Sequence, residues 1–191
     1  MSSALGTGVC SALIGIRTFS GCDSTSAFYG KGKRKTFSVA CEKDEYLKAF
    51  KSLGTNFNLE QSTFAVLCQY VCHLYDQPAA ENVNDARYKA FCMASSALPE
   101  LCIPPTTDAL HQHCKRANQQ AAIMRSCLKQ NISAPSPAGY GWQIEDGSLQ
   151  VTWMTRNPAP DSVLNVIHCG CKSACETGRC SCFSAGLCCT D

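Results

Sequence analysis

Apolar residues between Val9 and Phe19 fall at Val9, Ala12, Leu13, Ile14, Ile16 and Phe19. That spacing fits one buried helix, with a buried strand as the alternative. The pattern breaks over Gly21-Cys22-Asp23-Ser24-Thr25. Ser24-Thr25-Ser26 is expected to cap a short turn, and Gly30-Lys31-Gly32 to form a tight basic hairpin. Helices are predicted from about Arg34 through Cys41 and from Lys43 to Leu53, where Gly54 stops the second. Asn58 or Ser62 caps the next one, whose apolar face is Phe64, Leu67, Cys68, Val71, Cys72 and Tyr75, and Pro78 ends it. A further helix starts at Asn84 and turns Ala86, Tyr88, Ala90, Phe91, Met93 and Ala94 inward. Leu98 to Pro105 reads as a rigid linker. Thr106-Thr107-Asp108 then caps the longest helix, about Ala109 to Lys129, with Leu110, Cys114, Ala117, Ala121, Met124, Cys127 and Leu128 on its inner side.

The helical periodicity stops at Ser133 to Gly141, which is rich in Pro, Ser and Gly. From Trp142 to Trp153 the chain alternates around Asp146-Gly147, a short-range signal for a β-hairpin. Pro158-Ala159-Pro160 is a second linker, and Val163 to Ile167 leads into a cysteine-rich end. The fold class expected is mainly α. A helical domain spans residues 1–132, a linker with a β-hairpin spans 133–160, and a small Cys-rich module spans 161–191.

Composition changes this picture in two places. A hydrophobic content of 45% is enough to fill a core, and a net charge of +2 says nothing about partners. Local charge does: Lys31, Lys33, Arg34 and Lys35 put four cations in five positions. Paired with the glycines Gly30 and Gly32, they tilt the reading from a solvated turn towards phosphate binding, with a nuclear localisation signal as a weaker reading. The cysteines are the second place. Seven of the 16 fall in the last 23 residues, as Cys169, Cys171, Cys175, Cys180, Cys182, Cys188 and Cys189. A segment so poor in Leu, Ile and Val needs cross-links, and Cys-x-Cys pairs favour a metal over a strained disulfide ring. Soft thiolates in tetrahedral sets make zinc the expected ion, in a structural role. The other nine cysteines are scattered through helical segments and read mostly as small core residues. Met1 to Gly15 has no basic segment before its short apolar run, and no stretch reaches the length of a membrane span. The expectation is an intracellular protein, nuclear or cytoplasmic, with no membrane partner.

The tail Cys169-Gly-Cys171-Lys172-Ser-Ala-Cys175-Glu-Thr-Gly-Arg179-Cys180-Ser-Cys182 resembles a tesmin-type CXC domain. The resemblance implies zinc held by cysteines, and DNA contacts to which Lys172 and Arg179 would contribute. Six cysteines align with the pattern: Cys169, Cys171, Cys175, Cys180, Cys182 and Cys189. The remaining ones would fall beyond Asp191, so the module is expected to be a truncated copy. A second block, Gly21-Cys22-Asp23 followed by Gly30-Lys31-Gly32, resembles the Gly-x-Asp…Gly-x-Gly segment of flap-endonuclease-like (PIN-like) nucleases. In that family the Asp goes to a metal site and the glycine hairpin opens a helix that grips the DNA backbone. By resemblance Asp23 would hold Mg²⁺, with a turn or cap residue as the equally weighted alternative. Taken with Pro104-Pro105-Thr106 and Gly141-Trp142-Gln143-Ile144-Glu145-Asp146-Gly147, nearly the whole chain resembles the C-terminal part of a group of animal proteins derived from mobile elements.

Several sharp readings give way to plainer ones. His111, His113 and Cys114 point in different directions on a helix, so packing is expected there rather than metal. Cys68 and Cys72 share a helical face with Phe64, Leu67 and Val71 and read as core. Glu42, Asp44 and Glu45 read as a solvated face. Trp142 and Trp153 are able to stack on a base, but cross-strand packing is the commoner role. One carboxylate at Asp23 is not a two-metal site, so the chain alone is expected to lack nuclease activity. The expected function is DNA binding through Gly30 to Lys35 and the CXC-like tail. The alternatives are the C-terminal half of a metal-dependent nuclease and a protein-interaction module with structural zinc.

Overall fold

In the computed structural model, residues 6–93, 100–131, 133–157, 169–171, 175 and 180–184 are described. Two compact units result, residues 1–155 and residues 156–191, and the β-hairpin belongs to the first. Helices supply most of the regular structure: α1 (Thr7–Phe19), α2 (Lys33–Ala40), α3 (Asp44–Ser52), α4 (Gln61–Leu74), α5 (Val83–Met93) and α6 (Thr107–Arg125), with a 3₁₀ turn at Glu100–Cys102. Strands β1 (Trp142–Glu145) and β2 (Ser148–Val151) pair antiparallel, with Trp142 opposite Val151 and Glu145 opposite Ser148. Asp146 and Gly147 both take positive φ, 49° and 76°, as a two-residue hairpin turn requires.

Helix α1 packs against α3 and α6, and α3 packs in turn on α4. The approach of α1 to α3 is set by Gly15, where an added Cβ would sit 2.1 Å from the Phe50 carbonyl oxygen. Beside that close approach the rings of Phe19, Phe50 and Tyr70 meet edge to face at centroid separations of 4.9 to 5.7 Å. The Tyr70 hydroxyl donates to the Thr36 carbonyl at 2.8 Å, which ties α4 to α2.

Helix α6 starts where the sequence places it. The Thr106 side chain accepts from the Ala109 N–H. Its small residues Cys114, Ala117 and Ala121 are fully buried with Leu110. Its polar residues Gln112, His113, Arg116, Asn118 and Gln119 are buried too. His113 is bonded at both ring nitrogens, to the Phe19 carbonyl (2.8 Å) and to Ser26 Oγ (3.1 Å). A carbonyl only accepts, so Nε2 carries the proton and Nδ1 accepts from the serine hydroxyl. Arg116 Nη1 donates to the carbonyls of Gly141 (3.1 Å) and Thr152 (2.9 Å), tying the hairpin to α6. Asn118 holds the loop after α3: it accepts from the Gly54 N–H and donates to the carbonyls of Asn56 and Phe57. Arg125 donates to the carbonyls of Leu53 and Lys51 at the end of α3.

Some expected interactions are not made. Neither Asn58 nor Ser62 caps α4; Glu60 precedes its first turn and no side chain caps it. On α5 only Val83 and Ala86 are buried, while Tyr88, Phe91 and Met93 are exposed, because no described element packs over that side. Helix α6 ends at Arg125, four residues before Lys129, so Cys127 and Leu128 lie past it and face solvent. Of the nine cysteines in the helical unit only Cys72 and Cys114 are buried; Cys41, Cys92 and Cys127 are exposed.

Two measurements test this packing. Gly15→Ala should destabilise the fold by on the order of 3 kcal/mol, because the methyl meets backbone that has no room to move. Gly8→Ala, on the same helix with open space around it, should instead stabilise it by about 0.5–1 kcal/mol. Chemical unfolding midpoints of the two variants check both signs. The second test is pH. Burial holds the His113 imidazole down to about 4, from an ordinary 6.5. The unfolded chain therefore binds a proton between pH 6.5 and 4 that the folded chain does not. Stability should be fully present above pH 6.5 and fall as pH drops towards 4, by on the order of 3 kcal/mol. His113→Gln should remove most of that slope in unfolding curves taken across the window.

Candidate metal centre

The four sulfurs of Cys169, Cys171, Cys175 and Cys180 lie within 4.8 Å of one another. Among the described residues they are the one group of three or more Cys, His, Asp or Glu side chains so gathered. Cys169 Sγ is 3.3 Å from Cys175 Sγ and 3.5 Å from Cys180 Sγ. A tetrahedral zinc–thiolate set with bonds of about 2.3 Å separates its sulfurs by about 3.8 Å, so the four positions fit such an ion. The spacing in sequence explains the gathering. Cys169 and Cys171 flank one residue, and the Cys171 N–H donates to Cys169 Sγ at 3.4 Å, folding the chain back on itself. Cys180 immediately precedes α7 (Ser181–Ser184), where the Phe183 N–H donates to its sulfur at 3.4 Å. Backbone N–H groups aimed at sulfur favour the thiolate form and orient a ligand as outer-shell partners do.

Charge is shared unevenly within the set. The hydrogen bond from the Cys171 thiol, joined by that from its backbone N–H, holds Cys169 down to about 6. The same thiol interaction pushes Cys171 up to about 11. One thiolate thus draws on its neighbour's proton, and a divalent cation would displace that proton and take all four as thiolates. Cys180 and Cys182 are buried, Cys169 and Cys175 half-buried and Cys171 exposed. Cys188, Cys189, Lys172 and Arg179 lie outside the described residues.

The basic turn is folded against the protein more than its sequence implies. Lys33 Nζ donates to the Gly21 carbonyl and to Ser20 Oγ. Lys35 pairs with Asp76 at 2.8 Å, and Lys31 approaches the same carboxylate at 3.8 Å while lying over the Tyr75 ring at 4.6 Å. Burial, and then the charge of Lys35, lower the Lys31 pKa; the Lys35 hydrogen bond lowers that of Asp76. Arg34 is the member of the four left exposed and without a partner among the described residues. Asp76 was invisible to sequence reading as a member of this cluster, because it lies 41 residues from Lys35 and meets it only in the fold.

Asp23 sits exposed at the tip of a turn closed by the Cys22 and Thr25 backbones, with Thr25 Oγ1 donating to the Thr18 carbonyl at 2.7 Å. It is not gathered with other described acids, and Glu42, Asp44 and Glu45 are exposed. His111 packs on Phe64 and His113 lies in the core, as helical geometry implies. Burial pushes the Cys68 thiol up to about 12 and Cys114 well above its ordinary range, so neither is a nucleophile. Trp142 and Trp153 do not face each other across the hairpin; both rings instead lie against the Arg116 guanidinium, at 6.0 and 5.5 Å. Among the described residues no helix is long and apolar enough to cross a membrane. No protein-family model, curated protein or solved structure matches the chain.

Proposed function

We propose that residues 156–191 are a zinc module of CXC type and that the protein acts by binding DNA, as part of a mobile-element-derived protein. The observation that carries the zinc reading is the gathering of Cys169, Cys171, Cys175 and Cys180 within 4.8 Å. Four thiolates carry four negative charges, and one divalent ion offsets enough of them to let so short a segment fold. Zinc would bind through these four sulfurs as a structural ion, with Cys182 close in sequence to share in it. DNA binding rests on the sequence resemblance, with Lys172 and Arg179 in the module and Arg34 exposed on the basic turn. With Lys31 and Lys35 sharing Asp76, the turn offers phosphate less charge than its four cations suggest.

Cobalt tests the metal centre. Titrating Co²⁺ into reduced protein should give the intense thiolate-to-metal absorption and visible bands of a tetrahedral four-sulfur site, bleached by zinc. Cys180→Ser should weaken those bands strongly. Tight zinc binding unaffected by Cys180→Ser or Cys169→Ser would overturn the assignment.

Salt dependence tests the DNA reading separately. Each phosphate neutralised by a cation contributes about 0.9 to the slope of log K against log salt on duplex DNA. Arg34→Ala should flatten the slope by about that amount. Asp76→Asn should steepen it by about one to two such steps, by releasing Lys31 and Lys35. Slopes identical in wild type and both variants would remove the basic turn from the interface.

A further inference from the structure

A cleft of about 290 Å³ opens between the Asp23 turn and the hairpin, lined by Asp23, Ser24, Ser26, Arg116, Trp142 and Trp153 among others. The volume lies near the low end of the roughly 300–1,000 Å³ of small-molecule sites. It belongs wholly to the helical unit and does not depend on the thiolate module.

Arg116 is the unusual member. Its side chain is only 3% exposed, yet no carboxylate pairs with it among the described residues. A buried charge normally has a counter-charge, since desolvating it otherwise costs several kcal/mol. Both of its hydrogen bonds leave from Nη1, to two main-chain carbonyls. A guanidinium has five N–H donors, so Nε and Nη2 remain without a partner among the described residues. The two Trp rings lie beside it without neutralising it, and its unpartnered nitrogens are not sealed off from the cleft. An arginine needed only to hold the hairpin would be satisfied by its two carbonyls. The full positive charge is left over.

The remaining lining is of a different kind. Ser26 Oγ spends its proton on His113, and Asp23 is a carboxylate, so both offer acceptors rather than donors. Trp153 is 61% exposed, leaving aromatic surface at the edge of the cleft. A ligand matching all three features is flat, carries an oxyanion for Arg116 and carries hydroxyl or amine donors for Asp23 and Ser26. Both tryptophans of the chain lie here.

We propose that this cleft binds a nucleotide, with its phosphate on Arg116, its base against Trp153 and its sugar or base donors towards Asp23 and Ser26. The nucleotide is either free or one unit of a single strand, which share this chemistry.

Because both tryptophans line the cleft, intrinsic fluorescence of the full chain reads its occupancy directly. AMP should change the emission saturably, and adenosine and inorganic phosphate should each bind at least about tenfold more weakly, since each lacks half of the recognition. Trp153→Ala, at an exposed position, should weaken AMP about tenfold, read from the remaining Trp142 and by calorimetry, with circular dichroism to verify that it folds. Arg116→Lys keeps the charge but not the fork and should weaken AMP while adenosine is unchanged; circular dichroism verifies that it folds. A ten-nucleotide single strand that binds more than about tenfold tighter than AMP identifies the strand as the source, and equal affinity identifies the free nucleotide. The proposal is overturned if neither AMP nor the strand changes the emission up to ~10 mM, beyond the millimolar range of useful affinity. It is equally overturned if Trp153→Ala leaves binding of both untouched.

Discussion

A polar group taken out of water must find a partner inside the protein or cost roughly 1–3 kcal/mol, and more if it is charged. Helix α6 lives under that constraint. It is buried on most of its circumference, and Gln112, His113, Arg116, Asn118 and Gln119 are buried with its apolar residues. Three of these side chains define the architecture. His113 reaches the end of α1 and the Asp23 turn, Arg116 reaches the hairpin, and Asn118 reaches the loop after α3. Each bond joins residues far apart in sequence, so the helix acts as a polar spine around which the loops are set. The apolar core fills the space beside it through Gly15, Phe19, Phe50 and Tyr70.

The same spine creates the cleft. Arg116 draws the hairpin in through main-chain carbonyls, and His113 draws in Ser26, so the hairpin and the Asp23 turn meet over one buried guanidinium. Electrostatics on the rest of the surface run the other way. Asp76, held at a positive φ of 62° just after α4, takes up charge from Lys31 and Lys35. The densest run of positive charge in the described part of the sequence is thereby partly neutralised, while a single arginine hidden in the fold keeps its full charge.

The cysteine module follows different physics. From Cys169 onward the sequence is poor in Leu, Ile and Val, so cross-links through sulfur matter more there than an apolar core. Four sulfurs packed within 4.8 Å are mutually repulsive once ionised, and the hydrogen bonds that lower Cys169 raise Cys171 in compensation. A cation would resolve that conflict, and its binding would then be coupled to folding in this segment.

Patterns local in sequence were legible without coordinates: α1 between Val9 and Phe19, the Thr106 cap, the Asp146-Gly147 turn and the cysteine spacing all depend on neighbours within a few residues. Apolar periodicity also named the buried face of α4, but misjudged α5, since a stripe marks a face able to pack and not the presence of something to pack on it. The pairing of Asp76 with the basic turn, the clamp from His113 to Ser26 and the unmatched charge of Arg116 had no local signature. Their partners lie 41, 87 and 25 or more residues away, and polar residue types look alike in sequence whether solvated or buried. By itself the sequence determined where most helices and the hairpin lie and pointed to the terminal cysteines, four of which the fold gathers, because backbone preference and cysteine spacing are short-range. Only the tertiary structure decided which charges are spent and which remain available, because desolvation and pairing depend on what the fold brings within a few ångströms.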